Sequence, residues 1–208
     1  MPDDATVHII DDDEAVRQSL EFLLKGAKLP VQTHESATAF LAALPQLAPA
    51  CVITDIRMPG ISGIDLLKQL RALPQPIPVI VITGHGDVPL AVTAMKYGAA
   101  DFIEKPFDDD ALLGAVQAAL ERKQMEGRRE AERAAVLDKL AALSARERQV
   151  LDGLVAGKPN KTIAYDLAIS PRTVEIYRAN LMSKMNAASL SDLVRMALVA
   201  GILDQATE

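Results

Sequence analysis

Five short apolar segments, each followed by a stretch of helical periodicity, occupy residues 1–120. Two of them, residues 7–10 and 79–82, are apolar at nearly every position rather than at every second one. Such continuous runs are typical of strands that helices cover on both faces of a sheet. The helical stretches supply the crossovers that parallel strands need. The pattern therefore predicts an α/β unit with a five-stranded, doubly wound parallel sheet.

Polar side chains stand where these strands end, and functional groups of such sheets collect at the carboxyl ends of the strands. The residues expected at that edge are Asp11, Asp12, Asp55, Thr83 and Lys105. Three carboxylates repel one another unless a cation joins them, and ligands that are all oxygen atoms favour Mg²⁺. One carboxylate is then available as a nucleophile toward a phosphoryl group, whose oxygens Lys105 and Thr83 can contact.

Each of these residues also has an ordinary explanation. An Asp pair after a strand can be only a helix N-cap, and Asp55 can be a turn residue. Thr83 can be a plain strand-end hydroxyl, and Lys105 a solvated lysine. The combination of all five at one edge is more specific than any part, and it favours a phosphoryl-transfer site.

From Ala141 onward the periodicity is helical only, and turn residues divide it into four helices. Ser144 and Glu147 have the spacing of a capping box. A short helix around Ile163 is followed by a turn and by a second helix that starts at Ser170-Pro171. Its expected inner stripe is Val174, Tyr177, Leu181 and Met185, and its outer face carries Arg172, Glu175, Ile176, Arg178 and Ala179. This is helix-turn-helix geometry, although an ordinary helical bundle with a solvated face has a similar pattern.

Residues 121–140 are charged and rich in helix formers, so they are expected to form a helical connector interrupted near Gly127; a disordered linker is the alternative. Residues 1–120 carry 8 Lys and Arg against 16 Asp and Glu, whereas residues 141–208 carry 8 against 7. The two halves therefore suit different partners. The basic excess of the second half is too weak to predict nucleic-acid binding by itself.

The first 120 residues resemble the receiver domains of two-component response regulators. The matching stretches are IDDD at 10–13, TDIRMPG at 54–60, VITGH at 81–85 and FIEKPF at 102–107. The resemblance implies a flavodoxin-like fold with Asp55 as phospho-acceptor. Asp12 and Asp55, with the backbone carbonyl of Arg57, then bind Mg²⁺ and Asp11 supports them. It also implies that Thr83 and Phe102 form a switch pair and that the Lys105–Pro106 bond is cis.

The C-terminal part of the chain resembles the LuxR/NarL-type DNA-binding domain over about 60 residues, through LSARERQVL at 143–151, Gly157, NK at 160–161 and SPRTV at 170–174. By that resemblance Lys161, Thr173 and Lys184 contact phosphates. Glu175, Ile176 and Ala179 face base edges, where Glu accepts from cytosine and apolar groups meet thymine methyls. Arg172 and Arg178 complete the expected DNA-binding set. The resemblance assigns the last helix, from Ser189, to pairing two domains on DNA.

Two stretches of sequence, GHGDVPLAV at 84–92 and PNKTIAYDLAISPRTVE at 159–175, resemble the FixJ-type regulators of nitrogen-fixation or microaerobic genes. The implied protein is a phosphorylation-activated transcription activator. Its implied partners are a FixL-like oxygen-sensing histidine kinase, promoter DNA, a second copy of itself and RNA polymerase. A FixJ-like regulator that answers a different signal is the alternative. The expected domains are a receiver at 1–120, a helical linker at 121–140 and a DNA-binding domain at 141–208.

Two other classes of function stay open from the sequence. One is an aspartyl-phosphate hydrolase, although the Ile56-Arg57 that follows Asp55 lacks the second Asp usual in such enzymes, so only self-phosphorylation and self-dephosphorylation are expected. The other is an adaptor whose helical half never meets DNA. The sequence shows no long apolar run, no secretory pattern and one cysteine, Cys51, which predicts a soluble cytoplasmic protein with no membrane partner.

Overall fold

The computed structural model describes residues 6–84 and 88–202. The chain forms two compact units that divide between Met125 and Glu126. Within the described residues, no helix combines the length and the apolar character that crossing a membrane requires. His85, Gly86 and Asp87, which belong to the stretch 84–92 quoted above, lie outside the described residues.

The first unit is built on a five-stranded parallel sheet. The strands are β1 (Thr6–Ile10), β2 (Val31–His34), β3 (Pro49–Asp55), β4 (Val79–Thr83) and β5 (Asp101–Glu104). Their order across the sheet is β2-β1-β3-β4-β5, and every pairing is parallel. The predicted fold class of this unit is confirmed. The chain winds outward from β1 in one direction and from β3 in the other, so a crevice for a ligand is expected between the ends of β1 and β3.

Helices cover both faces of this sheet. They are α1 (Glu14–Gly26), α2 (Ala37–Ala43), α3 (Gly63–Arg71), α4 (Val88–Lys96) and the start of α5 (Asp109–Ala141), with a short 3-10 turn at Leu44–Gln46. Successive residues of β4 show why the strand is apolar throughout: Val79 and Val81 join one core, and Ile80 and Ile82 join the core on the opposite face. The two-sided burial inferred from the continuous apolar runs is therefore confirmed.

The second unit is all-α, as predicted. After the end of α5 it contains α6 (Ala145–Val155), α7 (Asn160–Asp166), α8 (Pro171–Met185) and α9 (Leu190–Val199). Ser144 and Glu147 form the expected capping box, and Ser170 caps α8 with Pro171 in its first turn. The core of this unit is a single cluster to which all of these helices contribute.

Helix α5 runs from Asp109 to Ala141 without a break, so the predicted interruption near Gly127 is wrong. A single glycine in a helix costs only about 1 kcal/mol relative to alanine. The residues around Gly127 are strong helix formers that outweigh this cost. The helix is also held by packing, since Leu112 and Val116 lie in the core of the first unit while Val136 and Leu140 lie in the core of the second.

Candidate functional site

The carboxyl ends of three neighbouring strands meet at one edge of the sheet in the first unit. Asp11 directly follows β1, Asp55 is the last residue of β3, and Thr83 is the last residue of β4. Because β3 lies between β1 and β4, Asp55 stands at the centre of this edge. Lys105 follows β5, one strand further out, and its side chain reaches back across β4.

Lys105 joins two carboxylates that are distant in sequence. Its Nζ donates to Asp11 Oδ2 at 3.1 Å and to Asp55 Oδ1 at 3.0 Å. The Asp11 side chain is 5% exposed, that of Asp55 14% and that of Lys105 28%, so the contact is sheltered but open to solvent on one side. Three of the five side chains expected at this edge are therefore in direct contact.

The electrostatics of this group follow from its burial. Burial raises the pKa of Asp11, while hydrogen bonds from the Asp13 N–H and from Lys105 act in the opposite direction. Burial by itself would lower the pKa of Lys105, but the hydrogen bonds to Asp55 and Asp11 and the negative charges of these two carboxylates together outweigh that effect, and the pKa is raised. Lys105 therefore stays charged and offsets the repulsion between the two carboxylates.

The Asp55 carboxylate is oriented by backbone as well as by Lys105. Its Oδ2 accepts the Arg57 N–H at 2.6 Å. At the start of α3, the Gly63 N–H donates to the Ile56 carbonyl at 3.0 Å. A Cβ on Gly63 would lie 2.2 Å from the Asp55 carbonyl oxygen, so only glycine allows this approach. Sequence reasoning missed this role of Gly63, because a close approach between two segments leaves no local pattern.

The three aspartates after β1 have different environments. Asp11 is buried, whereas Asp12 is exposed. Asp13 is the N-cap of α1 and accepts the Ala15 N–H at 2.8 Å, so the ordinary helix-cap explanation applies to this residue. Arg17 Nη1 donates to the Asp11 carbonyl at 2.7 Å and fixes the backbone there. Sequence reasoning missed Arg17, because an arginine on a helix carries no signal of a backbone contact.

A magnesium ion suits this edge chemically. The Asp11 and Asp55 carboxylates converge on one ammonium, Asp12 follows Asp11 directly, and all of these donors are oxygen atoms. Over residues 6–84 and 88–202, no three Asp, Glu, His or Cys side chains stand close enough together to form a metal site by themselves. Mg²⁺ commonly takes only one or two carboxylates and keeps several waters, so a smaller donor set is sufficient.

The expected switch pair lies next to this group. Thr83 is 1% exposed, and its carbonyl accepts the Lys105 N–H at 2.7 Å. Phe102 pairs with Val81 in the sheet and packs, partly buried, against one of the two cores. The Lys105–Pro106 peptide bond is cis, which confirms that expectation.

In the second unit, α7 and α8 are joined by a short turn in which Ala168 has a φ of 53°. On α8 the side chains of Val174, Leu181 and Met185 are buried, and Tyr177 is half-buried against the same core. The expected DNA-facing residues Arg172, Glu175, Ile176 and Ala179 are exposed, as is Lys161 on α7, while Thr173 and Arg178 are half-buried. The exposed residues of α8 give it an outward face suited to a partner.

Lys184 differs from the other expected phosphate contacts. Its Nζ donates to the buried carboxylate of Glu147 at 2.7 Å. The sequence identified Glu147 only as part of a capping box, since the fold that brings α6 and α8 together is needed to show this ion pair.

Comparison with known proteins covers both units. Residues 7–117 match the response regulator receiver domain, and residues 141–197 match the luxR family of bacterial regulatory proteins. The chain is 62% identical to the transcriptional regulatory protein FixJ of Azorhizobium caulinodans over 97% of this chain and 96% of that protein. It is 54% identical to FixJ of Rhizobium meliloti over 95% of this chain and 97% of that protein.

Two solved structures extend this similarity to the fold. Full-length FixJ from B. japonicum is 52% identical, with a TM-score of 0.60 over 95% of this chain and 98% of that one. The response regulator StyR is 39% identical, with a TM-score of 0.81 over 93% of this chain and 98% of that one. Both halves of the chain are therefore similar to proteins that regulate transcription.

Proposed function

Because the chain belongs to the FixJ-like two-component response regulators, which join a receiver domain to a LuxR-type DNA-binding domain, we propose that Asp55 is its phospho-acceptor. The observation that carries this assignment is the position of Lys105, whose ammonium contacts the Asp55 and Asp11 carboxylates at 3.0 and 3.1 Å. A phosphoryl group on Asp55 would bring its oxygens to the same ammonium.

The transfer step follows from this geometry. An Asp55 carboxylate oxygen attacks the phosphorus of a phosphohistidine on a sensor kinase, the P–N bond breaks, and the ring nitrogen keeps the electron pair. Lys105 and the Thr83 hydroxyl then contact the phosphoryl oxygens. Asp12, Asp55 and the Arg57 carbonyl would hold Mg²⁺, with Asp11 supporting them, and the ion would neutralise charge on the transferring group when bound. Self-phosphorylation from a small phosphodonor and self-dephosphorylation use the same residues.

The added charge drives the output. A phosphoryl group brings about −1.5 to −2 charges and strong acceptor oxygens. Thr83 and Lys105 reorganise around it and Phe102 follows, which changes the receiver surface that β5 and its neighbouring helices present. The result is a homodimer that binds promoter DNA. A coupling of about 1–3 kcal/mol, typical of such switches, corresponds to a change in DNA affinity of about 5- to 150-fold.

DNA reading is assigned to α8 and the residues around it. Its exposed face, with Glu175, Ile176 and Ala179, enters the major groove, while Arg172 and Arg178 flank it. Lys161 and Thr173 contact phosphates. Half-sites for the dimer would be centred roughly 34 Å apart, one helical turn of DNA. RNA polymerase is the further partner of an activator bound in this way.

The similarity to FixJ supports a role in activating nitrogen-fixation or microaerobic genes, with a FixL-like oxygen-sensing kinase as the phosphate donor. A different signal for the same machinery is the alternative. The protein is expected to act in the cytoplasm, where its promoter DNA lies.

Sedimentation before and after treatment with acetyl phosphate and Mg²⁺ tests this proposal. Wild type and an Asp65→Asn control, which changes an exposed aspartate on α3, are expected to gain one phosphoryl group by intact mass and to dimerise. Asp55→Asn is expected to do neither. Phosphorylation of Asp55→Asn to the wild-type level would refute the assignment of the acceptor, whereas phosphorylated wild type that stays monomeric would refute dimerisation as the output.

A further inference from the structure

Lys184 lies near the end of α8 and is already engaged within the second unit. Its Nζ donates to Glu147 Oε2 at 2.7 Å and to the Ala142 carbonyl at 3.3 Å. The Glu147 side chain is only 5% exposed, whereas that of Lys184 is 42% exposed. The Lys184 side chain is therefore partly open to solvent, whereas the carboxylate that it contacts is buried.

Glu147 joins three segments of this unit. The oxygen that accepts from Lys184 also accepts the Ser144 N–H at 2.7 Å, and the Ser144 hydroxyl accepts the Glu147 N–H at 3.3 Å. The hydrogen bonds from Lys184 and from the Ser144 backbone lower the pKa of Glu147 to about 2, so the carboxylate is charged at any physiological pH. The corner between α5 and α6 is thereby tied to the end of α8.

We propose that Lys184 is a positioning residue for DNA reading and not a phosphate contact: through Glu147 it holds the end of α8 against the corner between α5 and α6. Val174, Leu181 and Met185 anchor the body of α8 in the core, whereas the end of the helix is tied by the polar contact of Lys184 with Glu147. The ion pair fixes the end of the helix against the corner, and so helps to set the direction in which Glu175, Ile176 and Ala179 face. This proposal rests on the DNA-binding function proposed above.

Charge supports this division of roles. A lysine strengthens DNA binding by releasing counterions from the phosphates it neutralises. Lys184 is already neutralised by Glu147, so moving it to a phosphate would leave a buried carboxylate without its partner, which is strongly unfavourable. Lys161, by contrast, is exposed on α7 and forms no ion pair with a carboxylate among the described residues.

The salt dependence of DNA binding separates the two roles. The full-length protein would be titrated onto a duplex that the phosphorylated wild type has selected from a random-sequence pool, by fluorescence anisotropy across a series of NaCl concentrations, with and without acetyl phosphate. Lys161→Gln is expected to reduce the slope of log K against log salt by about 0.9 for each copy of the chain on the DNA, the value for one phosphate contact on duplex DNA. Lys184→Gln is expected to leave the slope unchanged while weakening binding about fivefold or more. Lys184→Arg, which keeps the positive charge, is expected to bind DNA with the wild-type affinity.

Glu147→Gln gives predictions of opposite sign. If Lys184 is a positioning residue, this variant weakens DNA binding, and the double variant with Lys184→Gln is no weaker than the worse single variant. If Lys184 contacts phosphate, releasing it from Glu147 strengthens binding. A fall in slope for Lys184→Gln equal to that for Lys161→Gln, or tighter binding by Glu147→Gln, would overturn the proposal.

Hydrogen exchange tests the contact without DNA. The Ser144 amide is expected to exchange faster in Lys184→Gln and Glu147→Gln than in wild type, and at the wild-type rate in Lys161→Gln. Unchanged exchange in both ion-pair variants would contradict the proposed link between α8 and the helix corner. Wild type that shows no salt-dependent DNA binding would refute the DNA-binding function, and the exchange measurement would still decide whether the positional link exists.

Discussion

Replacing Gly63 with alanine should disable the proposed phospho-acceptor without touching any side chain of its site. The added Cβ would lie 2.2 Å from the Asp55 carbonyl oxygen, 3.0 Å from the Asp55 carbonyl carbon and 3.1 Å from the Ile56 Cα. All three atoms belong to backbone, so no flexible side chain can move aside. An ordinary carbon–oxygen contact is roughly 1 Å longer than the 2.2 Å approach. The end of β3 and the start of α3 must therefore separate by about that distance.

A displacement of this size matters because Asp55 must meet Lys105 and the incoming phosphorus together. A misplacement of about 1 Å at a reacting group typically costs on the order of 100-fold in rate. Crowding in a packed site also destabilises the fold by about 1–3 kcal/mol. We therefore expect Gly63→Ala to be phosphorylated by acetyl phosphate about 100-fold more slowly than wild type, with a modest loss of stability.

Gly114→Ala is the matched control, because Gly114 lies inside α5 and a Cβ there meets no atom within 4 Å. This variant should be phosphorylated at the wild-type rate and be slightly more stable, since alanine favours helix over glycine by about 1 kcal/mol. The rate of phosphoryl gain is followed by intact mass, and stability by circular dichroism in urea. A wild-type rate for Gly63→Ala in folded protein would show that the close contact at Gly63 does not set the position of Asp55.

Three further predictions concern other parts of the molecule. Lys105→Met should slow phosphorylation about 100- to 1000-fold, as loss of one charged donor does in comparable sites, and a rate within tenfold of wild type would contradict that role. Burial, followed by the charge of the neighbouring His34, lowers the pKa of His8 from 6.5 to about 4. This shift contributes at most about 3 kcal/mol to the free energy of unfolding. The contribution is complete above pH 6.5 and is lost as the pH falls toward 4. In urea titrations between pH 4 and 7, His8→Asn should flatten this dependence, and parallel curves for the two proteins would refute it. Leu181 is 0% exposed, so Leu181→Ala should lower the free energy of unfolding in urea by about 2–5 kcal/mol. Ile176 lies on the same helix but is 52% exposed, so Ile176→Ala should lower it by less than about 0.5 kcal/mol and change only the DNA preference. Equal losses would contradict the assignment of inner and outer faces.

Much of the fold could be predicted from local patterns. The apolar runs identified the strands because a two-sided sheet buries every residue of a central strand, as in β4. Caps such as Ser144 and Ser170 identified helix starts because a hydroxyl that accepts a backbone N–H acts within three residues of the chain. The prediction of a break at Gly127 was wrong because the helix propensity of one residue is a weak preference that neighbouring helix formers and packing override.

The functional site likewise has a part that the sequence predicts and a part that it does not. Asp11, Asp55 and Lys105 could be placed at one edge from the sequence, since the carboxyl ends of parallel strands lie together. The bond from Lys105 to both carboxylates, the approach of Gly63 to the Asp55 backbone and the pairing of Glu147 with Lys184 join residues from 8 to 94 positions apart in the chain. Local periodicity and spacing report what a residue does within its own strand or helix. Contacts between elements depend on how the packed core brings those elements together, and only the tertiary structure decided them.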